Sequence, residues 1–126
     1  MTQEEKQLLL IDLCARLPHK VKVCLYKKET CILMGIDGCE VYLDVDSDPF
    51  NIESIKPYLR PMSSMTEEEK EEYCKLCYNY HNIYFESVSS IDWLNKKMFA
   101  YRTIDGKDMF ELGLAIEVTK ENNPYK

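Results

Sequence analysis

The sequence predicts a single α+β domain over residues 1–126: an N-terminal helix, a three-stranded antiparallel meander, two further helices and a short C-terminal strand. Three observations carry this prediction. Leucines recur at helical spacing near the N-terminus, apolar residues alternate on both sides of Asp37–Gly38, and Thr66 opens a second helical pattern. A chain of 126 residues can bury a core without disulfides or metals.

The first helix is predicted from Thr2 to Arg16. Thr2 and Glu5 form a capping box, in which each side chain satisfies a backbone N–H of the other residue. Apolar side chains then recur at helical spacing, at Leu9, Leu10, Leu13, Cys14 and Leu17. Pro18 ends the helix because it has no N–H to donate to the next hydrogen bond.

Three strands are predicted next, at Val21–Leu25, Cys31–Ile36 and Cys39–Val45. Asp37–Gly38 is typical of a two-residue hairpin turn, and it sets a definite register. The predicted pairs are Ile36 with Cys39, Met34 with Val41 and Ile32 with Leu43. The helices are expected to cover the apolar face made by Ile32, Met34, Ile36, Val41 and Leu43. The pattern also allows the sheet to curl like a small barrel.

The segment Ile55–Glu69 joins this strand-rich half to a helix-rich half. Pro57 and Pro61 exclude a long helix, so we expect a short turn or strand that acts as a hinge. Thr66 and Glu69 form a second capping box, which predicts a second helix from Thr66 to Tyr80.

A third helix is predicted to begin at Ser89, which has Asp92 three residues later. Its inward residues are predicted to be Ile91, Leu94 and Met98. The remaining predictions are a turn at Asp105–Gly106, a helical turn at Met109–Leu112, a last strand at Leu114–Val118 and a loose tail at Glu121–Lys126.

Charge and hydropathy predict a cytoplasmic protein that does not enter membranes. The net charge of −6 disfavours a general nucleic-acid binder, which needs a basic surplus to neutralise phosphates. The sequence has no apolar run of membrane-spanning length, and its N-terminus lacks the pattern of a signal peptide. In the cytoplasm the six cysteines are expected to be reduced thiols.

Several motif blocks extend over most of the chain. They are Leu17–Pro18 followed by Val21–Val23, then Ile55–Glu69 (IKPYLRPMSSMTEEE), Ser90–Asn95 (SIDWLN) and Phe99–Arg102 (FAYR). These blocks resemble an uncharacterised group of small proteins from gut anaerobes and their phages and prophages. In that group the last block reads F-D-Y-R-x-L-I-x-x-G-L-A, whereas here Ala100 replaces the acid and Thr103–Asp108 is an added segment. The resemblance implies a shared fold and a mobile-element origin, and it implies no activity.

The sharpest chemical candidate is Cys74-Lys75-Leu76-Cys77 followed by His81. Thiolates and an imidazole at this spacing suit zinc. However, Cys77 also lies on the apolar stripe of the predicted helix, where a thiol behaves as a small hydrophobe. Because the pair is in mid-helix rather than at a helix start, a thioredoxin-type role is disfavoured as well. The sequence favours thiols of the core or surface and predicts no cofactor.

Aromatic residues and Arg60 provide the candidate surface for a protein partner, because exposed tyrosines are favoured at interfaces. The candidate partner-binding residues are Tyr58, Arg60, Tyr78, Tyr80, Tyr84 and Trp93. Packing in the core is an equal alternative for the aromatic cluster that follows the second helix.

Two further patterns have simpler interpretations. Asp44–Asp48 resembles the first half of a calcium loop, but Pro49 and Ile55 stand where glycine and glutamate are required, so a solvated turn is favoured. Four lysines concentrate on one edge of the predicted sheet, at Lys20, Lys22, Lys27 and Lys28. Protection of an edge strand is favoured for them over an anionic partner.

The sequence contains no G-x-S-x-G, glycine-rich phosphate loop or H-E-x-x-H motif. The leading hypothesis is therefore a small non-enzymatic protein-interaction or regulatory protein of phage or mobile-element origin. The alternative is a metal- or thiol-dependent activity centred on Cys74, Cys77 and His81. The sequence leaves open the partner and the formation of homo-oligomers.

Overall fold

The computed structural model describes residues 1–80 and 86–125, with the backbone alone described at 78–80 and 86–89. Within these ranges the chain is α+β, as predicted. The helices are α1 (Gln3–Arg16), α2 (Glu67–Tyr80) and α3 (Glu86–Lys96). The strands are β1 (Lys22–Leu25), β2 (Glu29–Asp37), β3 (Glu40–Leu43), β4 (Phe50–Asn51), β5 (Ile55–Pro61), β6 (Phe99–Ala100), β7 (Thr103–Ile104), β8 (Lys107–Asp108) and β9 (Ile116–Glu117).

The sheet is larger than the predicted three-stranded meander, and it is mixed rather than antiparallel. Its order is β4-β3-β2-β1-β5-β6, with β9 also pairing with β5. The β5 strand runs antiparallel to β1 but parallel to β6 and β9. In the described residues the sheet stays open between β4 and β6, so the barrel-like closure is wrong.

The predicted hinge is the strand β5, which lies inside the sheet. Proline fixes φ near −65°, which an extended strand tolerates although a helix interior does not. Ile55, Pro57 and Leu59 are buried while the residues between them are half-buried, the alternation of a strand with one packed side. The segment therefore binds the two halves of the chain into one sheet.

The β2–β3 turn lies one residue later than predicted. Asp37 pairs with Glu40, so the loop consists of Gly38 and Cys39. Gly38 has φ +62° and occupies the first loop position, where a type II′ turn places its glycine. The Asp-Gly pair suggested that both residues belong to the loop, and this shifted every predicted pair.

A β-bulge then separates the two ends of this hairpin. Leu33 pairs with Leu43, but Gly35 pairs with Tyr42, so Met34 is an extra residue on β2. A bulge changes which alternate residues of a strand face the core. The inward positions predicted for β2 therefore hold on one side of the bulge and fail on the other.

The burial of the residues before and after the bulge shows this effect. Leu33 and Cys31 are buried, whereas Met34 is 62% exposed and Ile32 is half-buried, so the inward prediction is wrong for Met34 and Ile32. It is confirmed for Val41 and Leu43, which are buried, and for Ile36, which packs against the core from a half-buried position.

The first two helices agree with the predictions. Thr2 caps α1, and both hydrogen bonds of the capping box with Glu5 are present. At α2, Thr66 Oγ1 accepts from the Glu69 N–H at 3.2 Å, and Glu69 Oε1 accepts from the Thr66 N–H at 2.9 Å.

The third helix differs from the prediction at its start and on one face. It begins at Glu86 rather than Ser89. Leu94 and Met98 are buried as predicted, but Ile91 is 48% exposed because the inward stripe runs through Ser90, Trp93 and Leu94.

The buried apolar side chains form two clusters. The larger one joins α1, through Leu9 and Leu13, to the sheet. The smaller one contains Trp93, Leu94 and Phe99. Met98 and Ala100 belong to the larger cluster while Phe99 belongs to the smaller one, so β6 contributes to both.

The C-terminal part is more ordered than predicted. The predicted turn at Asp105–Gly106 joins the β7–β8 hairpin, and the last strand is shortened to Ile116–Glu117. The tail is docked rather than loose, since Lys22 Nζ donates to the Pro124 carbonyl at 2.6 Å. None of the helices in the described ranges has the length and apolar character to cross a bilayer.

Candidate interaction surface

The side of the sheet away from α1 carries accessible apolar and aromatic side chains. Leu33 and Val41 are buried in the cluster that contains Leu9 of α1. Because side chains alternate along a strand, the immediate neighbours of the buried residues on β2, β3 and β5 project to the opposite side. We call this set the open face, and it consists of Thr30, Ile32, Met34, Tyr42 and Tyr58. Its side chains are exposed or half-buried.

Contacts across three strands hold the open face together. The Thr30 and Tyr58 hydroxyls lie 3.4 Å apart, although β1 separates their strands. Between them lies Cys24, which pairs with Thr30 on one side and with Lys56 on the other, and which is 6% exposed. The six cysteines all fall in described residues and are free thiols.

Tyr125 anchors the tail at the margin of the open face. Its hydroxyl accepts from the Lys22 N–H at 3.0 Å and donates to the Tyr58 carbonyl at 2.8 Å. It therefore substitutes for a hydrogen bond between β1 and β5 at the position where their register would pair these two residues. Burial raises the pKa of Tyr125 to about 12, so the hydroxyl keeps its proton at physiological pH.

The predicted lysine edge does not form a single patch of free charge. Lys22 lies over the Tyr125 ring and donates to the tail. Lys20 follows the short 3₁₀ turn after α1 in a left-handed conformation with φ 56°. Lys27 and Lys28 lie exposed in the turn between β1 and β2. We therefore place the accessible charge at this turn rather than along the whole edge.

A pocket of about 270 Å³ lies beside the open face, at the β1–β2 turn. Cys24 and Ile116 are apolar residues of the lining, and Lys27 and Lys56 are its two basic residues. Glu53 also lines it, but its carboxylate pairs with Lys6 at 2.9 Å. The hydrogen bond from Lys6 holds the pKa of Glu53 below its usual range, so this carboxylate stays charged and partnered.

Arg60, a predicted partner-binding residue, is committed to contacts within the chain. Its guanidinium donates to both carboxylate oxygens of Glu69, at 2.8 and 2.7 Å, and to the Ser64 carbonyl at 3.2 Å. It also lies 4.2 Å from the centre of the Phe99 ring. The hydrogen bond from Arg60 lowers the pKa of Glu69 to about 2. This ion pair ties β5 to the first turn of α2.

Trp93, another predicted partner-binding residue, is 8% exposed and packs inside the smaller cluster. Its ring stacks on Tyr73 and Phe99 at centroid distances of 5.6 and 5.7 Å. In the described part of the chain, its indole N–H has no hydrogen-bond partner. Its stacking between two rings fits a core position.

The candidate metal ligands are described only in part. Cys74 is exposed and Cys77 is half-buried on α2, while His81 lies outside the described residues. Burial raises the pKa of Tyr73, and the neighbouring Cys77 thiol raises it further. Among the described residues, no three His, Cys, Asp or Glu side chains converge where a metal ion could be held.

The other aromatic candidates also fall at the limit of the description. Tyr78 and Tyr80 belong to α2 by their backbone, and their side chains are outside the described part. Tyr84 lies outside the described residues altogether. Tyr58 is therefore the predicted partner-binding residue that the structure places on an accessible surface.

The acidic segment after β3 forms one hydrogen bond to β2 and one within its own turn. Asp44 Oδ1 accepts from the Ile32 N–H at 2.9 Å, and Asp46 Oδ1 accepts from the Asp48 N–H at 3.1 Å. The bond within the turn agrees with the solvated turn that the sequence favours.

The sequence does not predict the buried charge cluster that joins α1 to β6 and Arg102. Asp12 and Arg16 are both 0% exposed and form a bidentate pair at 2.9 and 3.0 Å. Arg102 Nη1 also donates to Asp12 at 2.6 Å, and Arg16 donates to the Phe99 carbonyl at 2.6 Å. The i,i+4 spacing of Asp12 and Arg16 was the available signal, but such pairs usually lie on exposed helix faces.

Comparisons of the chain with protein-family models, with curated proteins and with solved structures found no match.

Proposed function

We propose that the chain is a non-enzymatic protein-interaction or regulatory protein and that the open face binds its partner. The observation that supports this proposal is the contrast between the two sides of the sheet. One side buries its apolar residues against α1, whereas the other leaves Ile32, Met34, Tyr42 and Tyr58 accessible. Accessible apolar groups with tyrosines are characteristic of protein interfaces.

The β-bulge adds to this support. Without the extra residue, alternation along β2 would give a face that differs from the observed one beyond the bulge. Met34 is the extra residue and is 62% exposed. Bulges are used to redirect side chains at functional positions. The most exposed apolar side chain of the open face therefore belongs to the extra residue of the bulge.

A comparison of two single variants tests the proposal. The full chain, the Met34→Glu variant and the Ile91→Glu variant are each immobilised and exposed to extract of the native host. Both positions are exposed apolar residues, but Ile91 lies on α3, away from the open face. We expect the wild-type chain and Ile91→Glu to retain the same protein, and Met34→Glu to retain at least about tenfold less of it, since a charge would be buried at the contact.

Two results would contradict this assignment. Equal retention by Met34→Glu and the wild-type chain would remove the open face as the contact. Retention of no protein by any form, at extract concentrations near those in the cell, would count against a protein-interaction function altogether. Retention of a second copy of the chain would show that the chain binds itself and forms a homo-oligomer.

We also propose an origin for the gene and a cellular location for the protein. A mobile-element origin is implied by the motif resemblance, and phage or transposition genes beside this one in the host genome would support it. We also place the protein in the cytoplasm, where reducing conditions keep thiols such as Cys24 free.

A further inference from the structure

The pocket beside the open face has the lining of a site for a small organic acid, an assignment that does not rest on the proposed function. Cys24 and Ile116 supply apolar lining, and Tyr26 also lines the pocket. Lys27 and Lys56 supply the charge. Ligand sites commonly combine an apolar lining with a few charged groups that fix orientation.

The charge of the pocket is positive although the chain as a whole carries −6. Within the described residues, neither Lys27 nor Lys56 forms an ion pair, whereas the carboxylate of Glu53 is engaged by Lys6. Two ammonium groups therefore lack an internal counter-ion at the same pocket. A bound anion would supply this counter-ion, whereas a metal cation would be repelled by the two lysines.

The wall of the pocket is held in place before any ligand arrives. Tyr26 and Lys27 are consecutive non-glycine residues with φ 52° and 62°, a left-handed conformation that such residues rarely adopt. The Tyr26 N–H donates to the Ser54 carbonyl at 3.0 Å, and the Lys28 N–H donates to the Leu25 carbonyl at 3.0 Å. A preformed wall reduces the ordering cost of binding, and strained backbone is often found at ligand sites.

The size of the pocket limits the ligand. A volume of about 270 Å³ lies just below the usual range for ligand sites, which suits a short chain or a single ring rather than a nucleotide. Inorganic phosphate would satisfy the ammonium groups but leave the apolar lining unused. We propose that this pocket binds a small organic carboxylate, with its acid group at Lys27 and Lys56 and its apolar body against Cys24 and Ile116.

Matched probes test the charge requirement. The ¹⁵N-labelled full chain is titrated with 4-phenylbutyrate, with 4-phenylbutylamine and with inorganic phosphate, and the amide resonances are followed by NMR. We expect saturable shifts at Cys24, Tyr26, Lys56 and Ile116 with the acid. The amine, which has the same body and the opposite charge, should bind at least about tenfold more weakly. Phosphate should also bind more weakly, because it lacks the apolar body.

Three lysine variants test the location. Lys27→Gln and Lys56→Gln should each weaken binding of 4-phenylbutyrate about fivefold or more, since each removes a charge-assisted hydrogen bond. Lys28→Gln, an exposed neighbour outside the lining, should change it by less than about twofold. Lys27 is exposed in a turn, so its variant tests the site even if Lys56→Gln does not fold.

The proposal is overturned by equal binding of the acid and the amine, by an equal effect of the Lys28 and Lys27 variants, or by no saturable shift with the acid up to millimolar concentration. These outcomes leave the partner-binding proposal intact, because that proposal is tested at Met34 with a different readout.

Discussion

At the scale of single residues, Asp12 is the buried carboxylate that pairs with two guanidinium groups. It is 0% exposed and accepts hydrogen bonds from both Arg16 and Arg102. Arg16 is also fully buried, and within the described residues its Nη1 has no hydrogen-bond partner. Two guanidinium groups therefore share one carboxylate, and the loss of that carboxylate would leave a buried charge uncompensated.

We expect Asp12→Asn to lower the free energy of unfolding by about 3–5 kcal/mol, the usual cost of breaking a buried ion pair from one side. Urea denaturation at pH 7 measures this change. The matched control is Asp92→Asn, because Asp92 pairs with His19 at 3.1 Å but its side chain is 61% exposed. The control should lose less than about 1 kcal/mol. Equal losses for the two variants would mean that burial of Asp12 adds nothing.

Glu69 is a second residue with a measurable electrostatic role. It completes the capping box of α2 and pairs with Arg60, and this pairing lowers its pKa to about 2 from an ordinary value of 4.5. A lowered folded-state pKa stabilises the protein above the unfolded-state value. This contribution is lost as the pH falls from about 5 towards 2.

Glu69→Gln separates the ion pair from the cap, since glutamine also fits the capping box. We expect it to destabilise the protein by about 1–3 kcal/mol at pH 7, because Arg60 loses a charged partner. The difference from wild type should shrink as the pH falls towards 2. Unfolding curves between pH 7 and pH 2 measure it, with Thr66→Ala as the variant that loses the cap and keeps the pair. A difference that stays constant with pH would contradict the assignment.

At the scale of elements, the bulge in β2 decides which side chains the sheet buries. The predicted register would bury Met34 and expose Leu33, whereas the observed register does the reverse. Alanine substitution at these adjacent positions distinguishes the two registers directly.

We expect Leu33→Ala to cost about 2–5 kcal/mol of folding free energy, as a fully buried leucine does. Met34→Ala should cost less than about 1 kcal/mol, because its side chain is 62% exposed. Thermal or urea unfolding of both variants measures the two values. The reverse order would show that the bulge is absent and that the regular register is correct.

The elements that sequence could predict are those with local signals. Both capping boxes gave the starts of α1 and α2, since the bonds lie within four residues. The glycine turn placed the β2–β3 hairpin to within one residue. Spacing of Leu9 and Leu13 identified residues of the core.

The elements that sequence could not predict depend on distant partners. The two-residue strand β6 has too short a pattern to recognise, and it forms only because β5 offers a parallel edge. Asp12 is buried, and it accepts a hydrogen bond from Arg102, which is 90 residues away in the sequence. The sequence predicts Tyr58 as a surface residue. The extent of the open face, however, depends on a bulge that no local motif indicates.

At the scale of the whole molecule, one side of the sheet is packed and the other is available. The larger cluster joins α1 to the sheet, and the smaller cluster joins α3 to β6. Arg60 and Glu69 fasten β5 to α2, and Tyr125 fastens the tail to β1 and β5. These contacts fix the frame that displays the open face. We propose that the chain binds its partner through this face.

Hydroxyl-radical footprinting tests that claim most directly, because methionine and tyrosine side chains report their own solvent access. The full chain is oxidised alone and with the protein that the wild-type chain captures, and each site is quantified by mass spectrometry. We predict that oxidation of Met34, Tyr42 and Tyr58 falls severalfold in the complex, while Met62, which is 36% exposed and off the open face, reacts unchanged. Unchanged oxidation at all three sites, with protection confined to α2 and α3, would exclude the open face as the partner contact.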